Sequence, residues 1–258
     1  MNAKKNALTW VFGLLSLALA VALAVTQLGA AAAGAGTDTE SAAFSTPEDA
    51  ISYFIDCVKS QDMDAALKAC AINEIARGFD FEAMANRLRT VLPVAVSYLP
   101  AEYPMYVEYN KQKATALIML QTIHFLNSFR LPEQYADLLD GVPTVVNPED
   151  DVVQGMIDEL DPALTDMQII QIGKHTMHDD EQNRKNQKAQ AACYGADDMQ
   201  FRAVLYECGG EYFVGGFTLV QYGKKWLLFN LSDPLTGISA FGNVQKLSGQ
   251  AEFGSMIQ

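Results

Sequence analysis

Residues 199–231 read MQFRAVLYECGGEYFVGGFTLVQYGKKWLLFNL. From Phe201 to Cys208, from Glu211 to Tyr222 and from Trp226 to Leu231, the pattern follows a period of two. That is the period of a strand with one face buried. Gly209-Gly210 and Gly223-Lys224-Lys225 separate the three runs and read as tight turns. The stretch predicts an antiparallel meander. Gly215-Gly216 lies inside its middle strand and predicts a bulge or a sharp bend there.

The chain before this meander has a different character. Thr46-Pro47-Glu48-Asp49 carries the marks of a helix start: a capping hydroxyl, proline at the first helical position and two acids at the positive helix end. Ile51, Phe54, Ile55 and Val58 then form one apolar stripe. Asp62 caps a second short helix containing Ala66, Leu67, Ala69 and Cys70, and Asp80 opens a third with Phe81, Met84, Leu88 and Leu92 on one face. A long helix is predicted over roughly 106–129, another begins at Leu131-Pro132-Glu133, and a further one runs from Asn147-Pro148 to about Leu160. Met167 to Gly173 reads as a strand, and 176–191 as a polar loop or short helix. Helices first and then a meander is the α+β order: a helix-rich N-terminal half packed on a bent antiparallel sheet. Phe54, Ile55, Leu88 and Trp226 are expected in one buried cluster. Residues 232–258 show little periodicity and read as a loosely packed tail.

The chain has 258 residues, with 18 basic and 31 acidic side chains. Its first 36 residues contain Lys4 and Lys5, no acid, and a nearly continuous apolar run from Leu8 to Leu28, followed by Ala30 to Ala33. A positive start, an apolar run and small residues describe an export signal. The expected organisation is a signal peptide over 1–33, a flexible spacer over 34–45, an α+β domain over 46–231 with a helical insertion at about 72–160, and the tail. An uncleaved N-terminal anchor is the alternative, and the only membrane contact expected is through that segment. The exported part keeps 16 basic against the same 31 acidic residues. Such acidity repels phosphate backbones, so nucleic acid is not an expected partner. Cys57, Cys70, Cys193 and Cys208 allow disulfides in an exported protein, including a Cys57–Cys70 bridge, but buried free thiols fit the same sequence.

The opening Thr46-Pro47-Glu48-Asp49-Ala50 through Gln61-Asp62-Met63-Asp64-Ala65-Ala66, together with the closing Gly223-Lys224-Lys225-Trp226 hairpin, resembles NTF2-like (cystatin-like cone) domains, many of them exported proteins of Gram-positive bacteria. The resemblance implies a cone-shaped sheet with the first helix across its concave face. The helical stretch 72–160 departs from a minimal cone. Enzymes of this fold place carboxylate, Tyr or His side chains inside the cone, and no motif carries any of them onto a position here.

Candidate chemistry is sparse. His175, His178 and Asp179 have ligand-like residue types, but in no known metal-binding spacing, and read as a solvated loop, so no metal site is expected. His124, between Ile123 and Phe125, has the chemistry of a general base, or of a partly buried structural histidine. Nucleophile elbow, P-loop and dinucleotide fingerprint are absent, so no cofactor is expected. The candidate pocket residues are Tyr98, Tyr103, Tyr106, His124 and Trp226; the tyrosines, with Tyr109 and Met105, suit an apolar pocket, a partner surface or simple packing. The functional expectation is a non-catalytic exported protein holding a small apolar ligand or another exported protein in a cone-shaped pocket. Its alternatives are a hydrolase or isomerase with an acid–base group inside the cone, and a membrane-tethered interaction module.

Overall fold

The computed structural model describes residues 41–89, 98–129, 162–174, 180–232, 242 and 244–257. All of them fall in one compact unit, Thr39–Gln258. Helices α1 (Pro47–Lys59), α2 (Met63–Lys68), α3 (Ile72–Gly78), α4 (Phe81–Leu88) and α5 (Pro104–Ser128) come first. The short α6 (Pro162–Thr165), strand β1 (Gln168–Gly173) and helix α7 (Glu181–Ala192) follow. Strands β2 (Asp198–Cys208), β3 (Glu211–Tyr222) and β4 (Lys225–Asn230) then form the meander, and β5 (Gln245–Leu247) and α8 (Gln250–Gly254) close the chain. The fold is α+β. Among the described residues, no helix is long and apolar enough to cross a membrane.

The helix starts follow their capping chemistry. Thr46 accepts from the Asp49 N–H at 3.1 Å, Asp62 from Ala65 at 2.9 Å, and Asp80 from Ala83 at 2.8 Å. Each satisfies an N–H that the first helical turn leaves without an intrahelical partner. The β2–β3 hairpin turns on Gly209 and Gly210, at φ 60° and 80°. Consecutive residues with positive φ make the turn whose twist matches the flanking strands, and glycine adopts them without steric cost.

The sheet runs β1-β2-β3-β4, all antiparallel, with β5 also on β3. Its side chains alternate between two covered faces. Val204, Tyr206, Phe213, Phe217, Leu219, Trp226 and Leu228 pack against Ile51, Phe54, Ile55 and Val58 of α1 and against Ile118 and Phe125 of α5. On the opposite face, Met199, Val220 and Leu227 meet Ile75, Met84, Tyr98, Ala114, Ala191 and Tyr194. Further along that face, Ala203, Leu205, Val214 and Leu247 surround Phe253.

Several expectations change. Leu88 is 43% exposed and joins no core, because α4 buries only Met84. The register of β2 with β3 runs unbroken from Asp198–Gln221 to Cys208–Glu211, so Gly215-Gly216 is no bulge. The shifts lie instead at Ile169/Gln171 on β1 and at Thr218/Leu219, where β4 carries Phe229 as an extra residue. Gly215 answers to packing: a Cβ there would lie 3.0 Å from the Tyr206 ring and 3.1 Å from Val244. The spacer ends earlier than its composition implies. Ala42 donates to the Lys68 carbonyl at 2.8 Å, and the Phe44 carbonyl accepts from Trp226 at 2.9 Å, so the chain from 41 onward is tied to the body. Nor is the described part of 232–258 a loose tail: β5 pairs with β3, and Phe253 is fully buried. The helices expected over 131–160 and the segment 1–40 lie outside the described residues.

Phe54 has no exposed surface, whereas Leu88 stands at the rim. Phe54→Ala should cost about 3–5 kcal/mol in denaturant unfolding. Leu88→Ala should stay within about 0.5 kcal/mol, as exposed positions do. Equal costs for the two would contradict this division of core from surface.

Candidate functional site

The five candidate pocket residues go to separate places. Tyr98 is buried on the second face, with Phe79 at 5.5 Å and Tyr194 at 6.0 Å between ring centroids, and the Lys113 ammonium lies 5.9 Å above its ring. Burial pushes its hydroxyl pKa up. Trp226 sits in the other cluster, against α1. Tyr103 and Tyr106 meet edge to face at 5.3 Å at the head of α5. His124 lies on the same helix, about 27 Å further along at 1.5 Å per residue. No single pocket therefore gathers them. His175, His178 and Asp179 lie outside the described residues, among which no group of three or more His, Cys, Asp or Glu side chains is placed to hold a metal ion. None of the four cysteines forms a disulfide, and all four are buried. Burial pushes the Cys57, Cys70 and Cys193 thiols up, which keeps them protonated and unreactive.

Polar chemistry concentrates where the sequence reading did not look. Asp198, Gln200 and Arg202 alternate along β2 and share the α1-covered face with Val204 and Tyr206. Arg202 Nε donates to Glu48 Oε1 at 2.5 Å, its Nη2 to Gln200 Oε1 at 2.9 Å, and its Nη1 to the Phe201 carbonyl at 3.0 Å. Gln200 Nε2 donates to Asp198 Oδ2 at 2.9 Å. Arg184 Nη2 reaches both Asp198 oxygens at 3.0 and 3.2 Å, and its Nη1 donates to Gln187 at 2.7 Å. One continuous chain thus links the first turn of α1, the start of β2 and the body of α7. The sequence signal was available: a run of polar residues on the alternating positions that face the core. Its alternating charges cancel locally, and its members hold one another, so the chain fastens two helices to the sheet.

Below it on the same face, Tyr206 is fully enclosed. Among the described residues, its hydroxyl is the one buried side-chain polar atom without a hydrogen-bond partner. Leaving such a group unmatched costs about 1–3 kcal/mol.

On the outside, Tyr103 is 61% exposed, Met105 72% and Tyr109 48%. Met105 and Tyr109, four residues apart, share one face of the first two turns of α5, and Tyr103 is its N-cap residue, which makes no side-chain capping bond.

No protein-family model matches the sequence, and no curated protein matches it. A solved structure of a cystatin-like protein from Ruminococcus gnavus ATCC 29149 is similar, at 21% identity and a TM-score of 0.49, over 79% of this chain and 45% of that one. The chain therefore spans less than half the length of that protein.

Two outcomes follow from the charges. The Glu48 side chain is 43% exposed, but that of Arg202 only 4%. Glu48→Ala strands a buried guanidinium and should cost about 2–3 kcal/mol; Arg202→Met lets Glu48 turn to water and should cost less. Unfolding of both variants in urea measures the difference, and the reverse order would contradict the buried pair. Burial also holds the His124 imidazole below its usual range. As pH falls through about 6.5 the unfolded chain takes up that proton before the folded one, so folding stability should drop there. His124→Gln should flatten that part of a melting-temperature profile against pH.

Proposed function

We propose that this chain is a non-catalytic binding protein that works outside the cytoplasm and engages another protein through the head of α5. The observation that carries this reading is the shared exposure of Tyr103, Met105 and Tyr109 within seven residues. Aromatic and methionine side chains are the types enriched at protein interfaces, and an exposed methionine adapts its shape to a partner at little cost. Single exposed apolar residues are ordinary, but Met105 and Tyr109 are neighbours at i and i+4 on one helix face, with Tyr103 exposed at the cap. The face expected to hold a ligand is occupied by the chain's own side chains: Phe54, Phe125, Tyr206 and Phe217 are all fully buried there. That favours the partner-surface form of the binding reading over a wide ligand cone. The buried charged residues Asp198 and Arg202 are committed to the strap between α1, β2 and α7, which supports a non-catalytic role. The placement outside the cytoplasm rests on residues 1–33, with two lysines, an apolar run and an alanine cluster.

A photo-crosslinking amino acid at position 109, introduced in the producing cell, tests the surface. The expected result is a discrete adduct with a second protein, lost when Met105→Glu is added and absent when the crosslinker replaces exposed Lys185 on α7. Adducts of equal yield at both positions, or none at 109, would overturn the partner surface.

A further inference from the structure

Every buried polar side chain on the inner face of α5 answers a particular backbone group. Asn110 holds Leu99 in both directions, Gln121 accepts from Leu231 N–H, and Ser128 accepts from Val244 N–H. On β2, Arg202 is engaged by Glu48, Gln200 and Phe201. Against that background the Tyr206 hydroxyl stands out. Phenylalanine would fill the same space without burying an unmatched hydroxyl, and a buried polar atom without a partner in a folded protein calls for a missing one.

The surroundings limit what that missing partner is. The rings of Phe125 and Phe129 lie 5.5 and 5.7 Å from the Tyr206 ring, both edge to face. The edge of the ring lies against Gly215, where an added Cβ would stand 3.0 Å from Tyr206 Cε2, 3.1 Å from Val244 Cγ1 and 3.8 Å from the hydroxyl oxygen. A side chain at 215 would therefore press on the ring that carries the hydroxyl. This part of β3 is also where its outer edge changes partner, since β4 covers 218–222 and β5 covers 212–214. Residues 215–217 lie between the two. Among the described residues these neighbours are aromatic rings, a valine and a glycine, which offer no charge to balance an ion, and a neutral group enters such surroundings at the lower cost.

We propose that the Tyr206 hydroxyl anchors an interior site at the β4/β5 junction of β3, taking one neutral oxygen-bearing molecule that hydrogen-bonds to it. Two sources share this chemistry: an internal water, or a small apolar alcohol or phenol. The site stands on its own observation, apart from the partner surface at the head of α5.

The test compares the purified protein with Tyr206→Phe and Gly215→Ala, using para-cresol and toluene as probes. If a small alcohol or phenol is the natural class, para-cresol should raise the parent's melting temperature by about 3–5 °C at roughly ten times its Kd. Toluene should raise it less, and the cresol shift should vanish in Tyr206→Phe and shrink in Gly215→Ala. If water is the occupant, para-cresol should have no effect. Water-to-protein magnetisation transfer should then reach the Tyr206 ring in the parent, and Tyr206→Phe should melt lower. No cresol shift, no bound-water signal and a Tyr206→Phe variant that melts at or above the parent would together overturn the site. Adducts at position 109 would be unaffected by that result, so the two readings fail separately.

Discussion

The outer edge of β3 is the constraint around which the rest of the fold is arranged. On its inner side β3 pairs with β2 without interruption, but no single strand covers the other side. β4 takes 218–222 and β5 takes 212–214. Leu231 and Val244, which flank these two strands, are buried, and their backbone N–H groups need partners there. Helix α5 supplies partners. Its buried residues Asn110, Ala114, Ile118, Gln121, Thr122, Phe125 and Ser128 follow the helical repeat, and four of the seven are polar. Gln121 and Ser128 reach the two ends of the broken edge, and Gly242 passes so close to α5 that a Cβ would lie 2.9 Å from the Gln121 carbonyl oxygen. The same helix places Ala114 in the core on one face of the sheet and Ile118 and Phe125 in the core on the other. It crosses the sheet edge and joins two cores that the sheet would otherwise keep apart.

This arrangement explains the crowding of the α1-covered face. One end of it is closed by the Glu48–Arg202–Gln200–Asp198–Arg184 chain, the middle by Phe54 and Phe217, and the far end by the aromatic group of Phe125, Phe129, Tyr206 and Phe213. A face sealed at both ends and filled between has little left for a bulky ligand. On the proposed reading, recognition lies outward, at side chains that packing does not claim, and inward at the one buried side-chain polar atom that packing leaves unmatched among the described residues.

Much of the fold was legible because its signals are local. The Gly209-Gly210 turn, the Thr46 cap and the stripe Ile51-Phe54-Ile55-Val58 each depend on a few neighbouring residues, and each forms as read. What failed depends on distant partners. The length of α5 was readable, but its buried face was not, since Asn110, Gln121 and Ser128 look like surface residues until the backbone groups they satisfy are brought beside them. Leu88 looked like core because its spacing is right, yet α4 is only eight residues long and buries Met84 alone. Gly215-Gly216 suggested a bulge, whereas Gly215 is set by a ring from the next strand. β5 has three residues, too few for a period, and was read as tail. The tyrosines near the head of α5 were read as one group, because sequence proximity does not show that Tyr98 turns inward while Tyr103 and Tyr109 remain outside.

The sheet edges bear on the kind of contact that the proposed partner would make. β4 is covered along its outer edge by the Phe44 carbonyl and by Ala69 and Ala71, which exchange hydrogen bonds with Trp226 and Leu228. At the other edge, β1 carries a bulge at Ile170, and Lys59 occupies the Met167 carbonyl just before the strand at 2.6 Å. A bulge twists a strand away from a flat incoming partner, and a lysine at the strand end blunts it further. The uncharged sequence Gln168–Gly173 would otherwise invite strand addition. With one edge covered and the other blunted, the proposed partner would gain little from main-chain pairing and would be bound through side chains. The side chains at the head of α5 are suited to that: they are large, they are aromatic or flexible, and they sit on a helix whose inner face is pinned at Asn110 to Leu99 and Ala76. A rigid mount lowers the ordering cost of binding, so a modest group of exposed residues there is worth more than the same residues on a loop.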